Sequence, residues 1–367
     1  HNNKFVRFWL DAPQHPINDA LFTRYFTVRY QLYKLTNYME HTPELEETDV
    51  YLQSMDFAHA WMLGLIPTEE IYRELMGRVN SPTRIKDITS ALDERNHSLF
   101  HSLTQKVVNR ILEIELQRGD SETQVTRLAE ELHRVYGAET LIRILQAFGK
   151  DTFIRDSYNW RNTKRGVLSS LLHACYPSPD DDSDTLKSLA SQADISHIRL
   201  VEAAMFAPQW LELTEEATGW KGLESAAYYF HAHTSECFDD KKKAIIARYT
   251  PIAIEDLQEG AFDIDWFKEA YKTIGKERFE VVYNAAKYIS LSNTHTRARK
   301  FADAVNGKTK AADAKKEIIA KRNKDLLMSY GLIPLGRKAD KELLERYQFL
   351  QKFLKESKEF GAQRQES

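Results

Sequence analysis

Residues 121–149 read SETQVTRLAEELHRVYGAETLIRILQAFG, and the spacing of their apolar positions decides the fold. Val125, Leu128, Ala129, Leu132, Val135 and Tyr136 fall mostly at steps of three and four, the period that gathers side chains on one face of an α-helix. Ser121 stands where a hydroxyl can accept from free backbone amides, and Gln124 can reach back as the other half of a capping box. Gly137 then predicts a helix stop, because glycine tolerates the left-handed conformation at C′. Ala138, Glu139 and Thr140 open a second helix, with Leu141, Leu145 and Phe148 as its apolar face and Gly149 at its end. The unit is helix, glycine turn, helix.

The same cadence extends in both directions. Leu21, Tyr25, Val28, Leu32, Leu35 and Met39 form one stripe at helical spacing, which predicts a core face. Pro67, Thr68, Glu69 and Glu70 open a segment closed by Gly77, with acids at the positive end of the helix dipole. Tyr271, Ile274 and Gly275 lead into Glu277, Phe279, Val282 and Tyr283. Ala207-Pro208 predicts a helix start or kink, since proline lacks an amide donor and clashes with the preceding turn. Period-two alternation is confined to Lys4–Leu10, so any sheet is expected to be small and peripheral.

The expected fold class is therefore all-α: about seventeen helices in stacked antiparallel pairs, as an irregular HEAT-like α-solenoid or a helical bundle. The glycines at 137, 222 and 275 are unevenly spaced, and a solenoid requires a fixed period. The chain of 367 residues is long enough for about two compact units. Pro177-Ser178-Pro179-Asp180-Asp181-Asp182-Ser183-Asp184 marks the clearest break. The expected organisation is a helical region over 1–176, an acidic linker at 177–184, and a second helical region over 185–367.

Hydrophobic residues at 42% and charged residues at 29% are a globular balance, and the net charge of -3 is too small to dictate a partner. No stretch nears the roughly 18 apolar residues that span a bilayer, no signal pattern opens the chain, and two cysteines are too few for a disulfide framework. The reading is cytoplasmic, with no membrane partner. A first residue of His rather than Met suggests a piece of a longer protein.

The motifs of common chemistries are absent: there is no H-E-x-x-H, C-x-x-C, G-x-S-x-G or G-x-G-x-x-G. Asp180, Asp182 and Asp184 have the alternate spacing of an EF-hand, yet Thr185 stands at the glycine position and Ser191 where a bidentate Glu would close the shell. That run reads as a solvated linker capping the next helix. Gly331–Lys338 has a P-loop outline, with its lysine one place late and Ala339 where magnesium needs a hydroxyl. It reads as a helix-ending turn.

His231 and His233 point about 200° apart on a helix, whereas His233 and Cys237, four apart, share a face and could supply two metal ligands. Histidine in an aromatic helix more often packs in a core, so no metal or cofactor is expected. The segment 295–324 holds ten Lys or Arg against three acids. Arg297, Arg299, Lys300, Lys315, Lys316, Lys321 and Arg322 are thus candidate phosphate-binding residues, weighed against the ordinary reading of an exposed basic helix face.

Several longer blocks carry a resemblance: RILEIEL at 110–116, EAAMFAPQW at 202–210, YFHAH at 229–233, FDIDWFKEAY at 262–271, KRNKD at 321–325 and FLKESKEFG at 353–361. From about Thr68 onward the chain resembles an internal region of large bacterial proteins built from adjacent domains of unknown function. Some of these are labelled molybdate metabolism regulator, and some carry a WGR domain. The resemblance implies an interaction or regulatory role and no catalytic residue. The leading expectation is a non-enzymatic helical scaffold that contacts protein or other domains of its own chain. The alternatives are a nucleic-acid-associated regulatory module using the basic segment, and a metal-dependent enzyme using His233 and Cys237.

Overall fold

The computed structural model describes residues 16–38, 52, 54–67, 70, 98–155, 160–234, 238–290 and 294–359. The alternating stretch Lys4–Leu10 lies outside the described residues, as does most of the helix expected between Pro67 and Gly77. Within them the chain is all-α, with eighteen α-helices, two 3-10 turns and one ladder of two-residue strands. None of these helices is long and apolar enough to cross a membrane. The chain divides into two compact units, residues 1–135 with 158–174 and residues 136–157 with 175–367.

The first unit holds α1 (Pro16–Tyr38), α2 (Ser54–Met62), α3 (Ser98–Leu116), α4 (Thr126–Glu130) and α6 (Lys164–His173). On α1 the buried face differs from the expected one. Leu21, Val28 and Leu32 are exposed, Val28 by 59%, while Phe22 and Phe26 are buried. Two apolar stripes lie one residue apart on this helix, about 100° around its axis, and period alone cannot rank them. The aromatic stripe wins because each ring removes more area from water and finds ring partners. Phe26 and Tyr30 stack at 5.1 Å, and Phe57 of α2 meets Phe26 edge-on at 6.0 Å.

A second departure falls in the segment quoted first. The helix expected to run from Ser121 toward Gly137 is only the five residues of α4, and Val135–Tyr136 is strand β1. Neither Ser121 nor Gln124 caps it; the N-cap is Val125, with no side-chain bond. The cause is Glu115 on the last turn of α3, whose carboxylate is fully buried. Arg118 donates to it at 2.5 Å, Thr123 Oγ1 at 2.7 Å and Thr126 Oγ1 at 3.1 Å. Arg118 also donates to the Asn162 carbonyl at 3.0 Å. An unsatisfied buried carboxylate costs several kcal/mol and a missing cap about one; both threonine hydroxyls donate to Glu115 while accepting locally, Thr126 Oγ1 from Thr123 N at 2.8 Å and Thr123 Oγ1 from Val125 N at 3.2 Å. Beside this knot α4 packs on α6, which Thr163 caps by accepting from Gly166 N at 3.1 Å. Only glycine fits at 166, where a Cβ would lie 2.1 Å from the Trp160 carbonyl oxygen.

The second unit begins at Tyr136 and turns at Gly137, whose φ of 104° favours glycine, into α5 (Ala138–Phe148). Leu141, Leu145 and Phe148 are buried as their spacing predicts, and Gly149 at φ 55° ends the helix. Strand β2 (Cys175–Tyr176) follows α6, and its Tyr176 carbonyl accepts from Gly137 N at 3.0 Å. In the acidic run, Asp181 accepts from Ala138 N at 2.9 Å and from Ser178 N at 2.7 Å, and Asp182 caps α7 (Ser183–Gln192) by accepting from Thr185 N at 2.7 Å.

Then come α8 (His197–Phe206), a 3-10 turn at Pro208–Trp210, α9 (Leu211–Thr218) and α10 (Leu223–Ala232). Pro208 sits at the first position of its turn, where its missing donor costs nothing, so a helical turn starts there as expected. Next are α11 (Asp240–Ile246), α12 (Ile254–Glu259), α13 (Ile264–Ile274) and α14 (Lys276–Ala285), the last two joined at Gly275 as read from the sequence. The series closes with α15 (His295–Val305), α16 (Ala311–Lys321), α17 (Lys324–Leu332) and α18 (Ala339–Ser357).

Neighbours in sequence pack on one another, as α8 on α9, α9 on α10, α13 on α14 and α16 on α17 do. The centre of this unit is aromatic. Tyr229 is fully buried against Phe267 at 4.9 Å and donates its hydroxyl to the Ala298 carbonyl at 2.8 Å. A smaller apolar cluster, with Ile318, Leu326, Tyr330, Phe349 and Phe353, ties α16, α17 and α18 together.

Candidate functional site

The last three helices are positioned by two buried guanidiniums. Arg322 ends α16 in the left-handed conformation at φ 43°, places its guanidinium over Phe353 at 4.0 Å, and donates to the Phe353 carbonyl at 3.3 Å and to the Ser357 hydroxyl. Asn323 then caps α17 by accepting from Leu326 N at 3.1 Å. Arg346, only 6% exposed, reaches from α18 to the end of α17 and donates to the carbonyls of Ile333 at 2.6 Å, Pro334 at 3.3 Å and Tyr330 at 3.4 Å. Its remaining charge is met by Glu342 at 2.5 Å. The other Glu342 oxygen accepts from Gly336 N at 2.8 Å. That backbone bond first, and the Arg346 charge with it, hold the Glu342 carboxyl below its ordinary range.

These contacts fix the turn 333–338 against the start of α18 and open a cleft of about 550 Å³. Lys315 enters it from α16, Arg337 and Lys338 from the turn, and Lys341 and Arg346 from α18; Glu342 and Glu345 are its acids. Lys341 lies 3.9 Å from Glu345. Lys315 has its ammonium 4.9 Å from the Phe349 ring, and neither it nor Arg337 nor Lys338 has a carboxylate partner among the described residues.

Next to the cleft, α18 leaves Leu343, Leu344, Tyr347 and Leu354 between 56% and 60% exposed, while Arg346, Phe349 and Phe353 on its other side are buried.

The seven basic residues singled out by composition do not converge. Arg297 pairs with Asp325 at 2.7 Å and donates to the Gln258 carbonyl. Arg299 donates to the carbonyls of Tyr283 and Asn284, each at 2.9 Å, and lies over the Tyr283 ring. Lys321 pairs with Glu317 at 2.5 Å, and Arg322 is buried as described. Arg299 and Arg322 are thus engaged by backbone carbonyls, Lys300, Lys315 and Lys316 have no hydrogen-bond or carboxylate partner among the described residues, and of the seven only Lys315 lines the cleft. Arg337, Lys338 and Lys341 were missed because they follow the basic segment across α17, and their loop reads as a turn.

His233 is 1% exposed, and its Nδ1 lies 2.7 Å from the Tyr229 carbonyl oxygen. Burial pushes its imidazole down to about 4. Cys237 lies outside the described residues, and no group of three or more His, Cys, Asp or Glu among those described is placed to hold a metal ion. Cys175 is buried with its Sγ 3.9 Å from the Gly137 carbonyl oxygen, and desolvation raises its thiol far above the ordinary range, which disfavours the nucleophilic thiolate.

A family model matches residues 1–367, and the chain belongs to that family, DUF5724, a family of unknown function. No curated protein and no solved structure matches the chain.

Proposed function

We propose that this DUF5724 chain is a non-enzymatic helical interaction module that associates through α18, and that the occupant of that face is a second copy of the chain. The observation that carries the reading is the exposed stripe. Leu343, Tyr347 and Leu354 are exposed and Leu350, half-buried against the cluster beneath, lies between them, so the four are spaced by four, three and four residues, the repeat that packs one helix along another. That spacing is symmetric about its midpoint. In an antiparallel pair Leu343 meets Leu354 of the second copy, and Tyr347 meets Leu350, which meets the self-complementarity a two-fold contact demands. Leu343, Tyr347 and Leu354 are each more than half exposed, and burying a leucine side chain stabilises by about 1.5–3 kcal/mol. The resemblance to regions of larger bacterial proteins adds that such a contact serves regulation or assembly within a longer polypeptide.

The test is the mass in solution, by light scattering across a concentration series, of the native chain and of Leu343→Asp/Leu354→Asp. A concentration-dependent dimer that the double variant loses, with unchanged circular dichroism, is expected. A native chain that stays monomeric throughout refutes the reading. Salt-dependent retention on nucleic acid, lost when Lys300, Lys315 and Lys316 are neutralised, would put the nucleic-acid-associated module in its place.

A further inference from the structure

We infer that the cleft between α16 and the start of α18 binds the phosphate group of a small phosphorylated ligand. Two of its five cations are already answered: Arg346 by Glu342 and the carbonyls around it, Lys341 by Glu345 at 3.9 Å. Lys315, Arg337 and Lys338 have no carboxylate partner among the described residues, and all three line the one cleft. Their mutual repulsion is relieved by an anion placed among them.

The helix behind them adds to the same field. α18 runs for 19 residues, and its N-cap, Lys338, offers no side-chain acceptor. Glu342, one turn into the helix, is committed to Gly336 N and Arg346. The first amides of α18 therefore have no side-chain cap, and they point toward the end at which the dipole favours negative charge. Asp340 belongs to the same turn, is exposed, and does not line the cleft. Independently of the helix end, Arg346 lines the cleft with its guanidinium held in place by the carbonyls of Tyr330, Ile333 and Pro334 and by Glu342.

Size and lining choose the ligand class. About 550 Å³ lies within the range of small-molecule sites, roughly 300–1,000 Å³. Tyr330, the one aromatic side chain lining the cleft, is 4% exposed and beneath Arg346, so no ring is offered for stacking a base. A single-stranded nucleic acid would find charge here without a stacking platform. The loop is not a P-loop, since Pro334 has no amide to donate and Ala339 has no hydroxyl for magnesium. The positive heads and the helix end do the recognising.

The test is isothermal titration of the full chain with inorganic phosphate and with pyrophosphate, and with an oligonucleotide lacking terminal phosphates. Saturable binding of pyrophosphate is expected, weakened about tenfold or more in Arg337→Ala/Lys338→Ala and unchanged in Lys316→Ala, with circular dichroism confirming the fold. Lys315→Gln gives the same weakening should the double variant fold poorly. The inference is overturned by the absence of saturable phosphate and pyrophosphate binding. Equal affinity in the cleft variants, or binding of the oligonucleotide alone, overturns it as well. The Leu343→Asp/Leu354→Asp chain retains the binding, so the fate of this site and that of the dimer are read separately.

Discussion

Replacing His233 by Gln should remove a measurable share of the chain's sensitivity to acid. His233 is enclosed by Tyr229 at 4.8 Å, Phe262 at 5.5 Å and Phe301 at 5.8 Å between ring centroids. Desolvation in that shell holds its imidazole at about 4, against an ordinary 6.5. Between those two values the unfolded chain binds a proton that the folded chain does not, so folding is fully favoured above pH 6.5 and loses stability as pH falls toward 4. Linkage puts the loss from this one group at about 2 kcal/mol at pH 5 and about 3 kcal/mol at pH 4. His231 is fully buried and shifted in the same direction, by desolvation first and then by the charges of Lys242 and Arg155. It is present in both chains, as are the carboxylates, so their contributions cancel in the comparison. Urea unfolding at pH 7 and pH 5 should show the native chain losing about 2 kcal/mol more than His233→Gln. Parallel losses in the two chains would refute the assignment of a neutral, buried imidazole.

Arg118→Ala leaves the Glu115 carboxylate buried without its cation and should cost about 3–5 kcal/mol in chemical denaturation, whereas Glu115→Leu/Arg118→Met, which removes both charges, should cost much less. Equal costs would show that the pair stabilises by packing alone. Arg322→Ala removes the guanidinium stacked over Phe353 and should lower the thermal midpoint by several degrees; Arg337→Ala, an equal change of charge at an exposed position, should leave it within a degree or two. A reversed order would mean that the Arg322 contacts do not hold α16 to α18.

The fold was legible where one helix face outcompetes all others. Leu141, Leu145 and Phe148 between two glycines leave a single apolar stripe, and α5 follows it to the residue. The join at Gly275 and the turn at Pro208 were legible because backbone chemistry alone decides them. α1 was not, since Leu21–Leu32 and Phe22–Phe26 both satisfy the helical period and only the presence of Phe57 on α2 ranks them. The segment after α3 misled for a deeper reason. A capping box is a local rule, and Thr123 and Thr126 are claimed by Glu115, whose other partner Arg118 reaches on to Asn162. Nothing near Ser121 signals that competition.

The basic segment shows the same limit in electrostatic form. Composition counts charges, and a binding surface depends on those left uncompensated. Of the ten cations in 295–324, Arg297, Lys308, Lys321 and Lys324 lie within 4 Å of carboxylates, and Arg299 and Arg322 are spent on backbone carbonyls. Carboxylates such as Glu259 and Glu280 lie upstream of the counted window, so the local excess overstated the field. The reverse holds at 337–341, where a short basic run after a P-loop-like outline reads as no more than a helix-ending turn. There α17 folds back so that Lys315 joins Arg337 and Lys338 around one space, and the nearby acids are held by Arg346 and Lys341. Charge that was diluted along the sequence is concentrated by the turn, while charge that was dense along the sequence is neutralised by packing. α18 thus has three faces of different character: one buried against α16 and α17, one turned to the cleft, and one apolar and open. A helix of 19 residues can carry all three because its side chains recur on each face every third or fourth residue, so the proposed anion and the proposed second copy would engage different side chains.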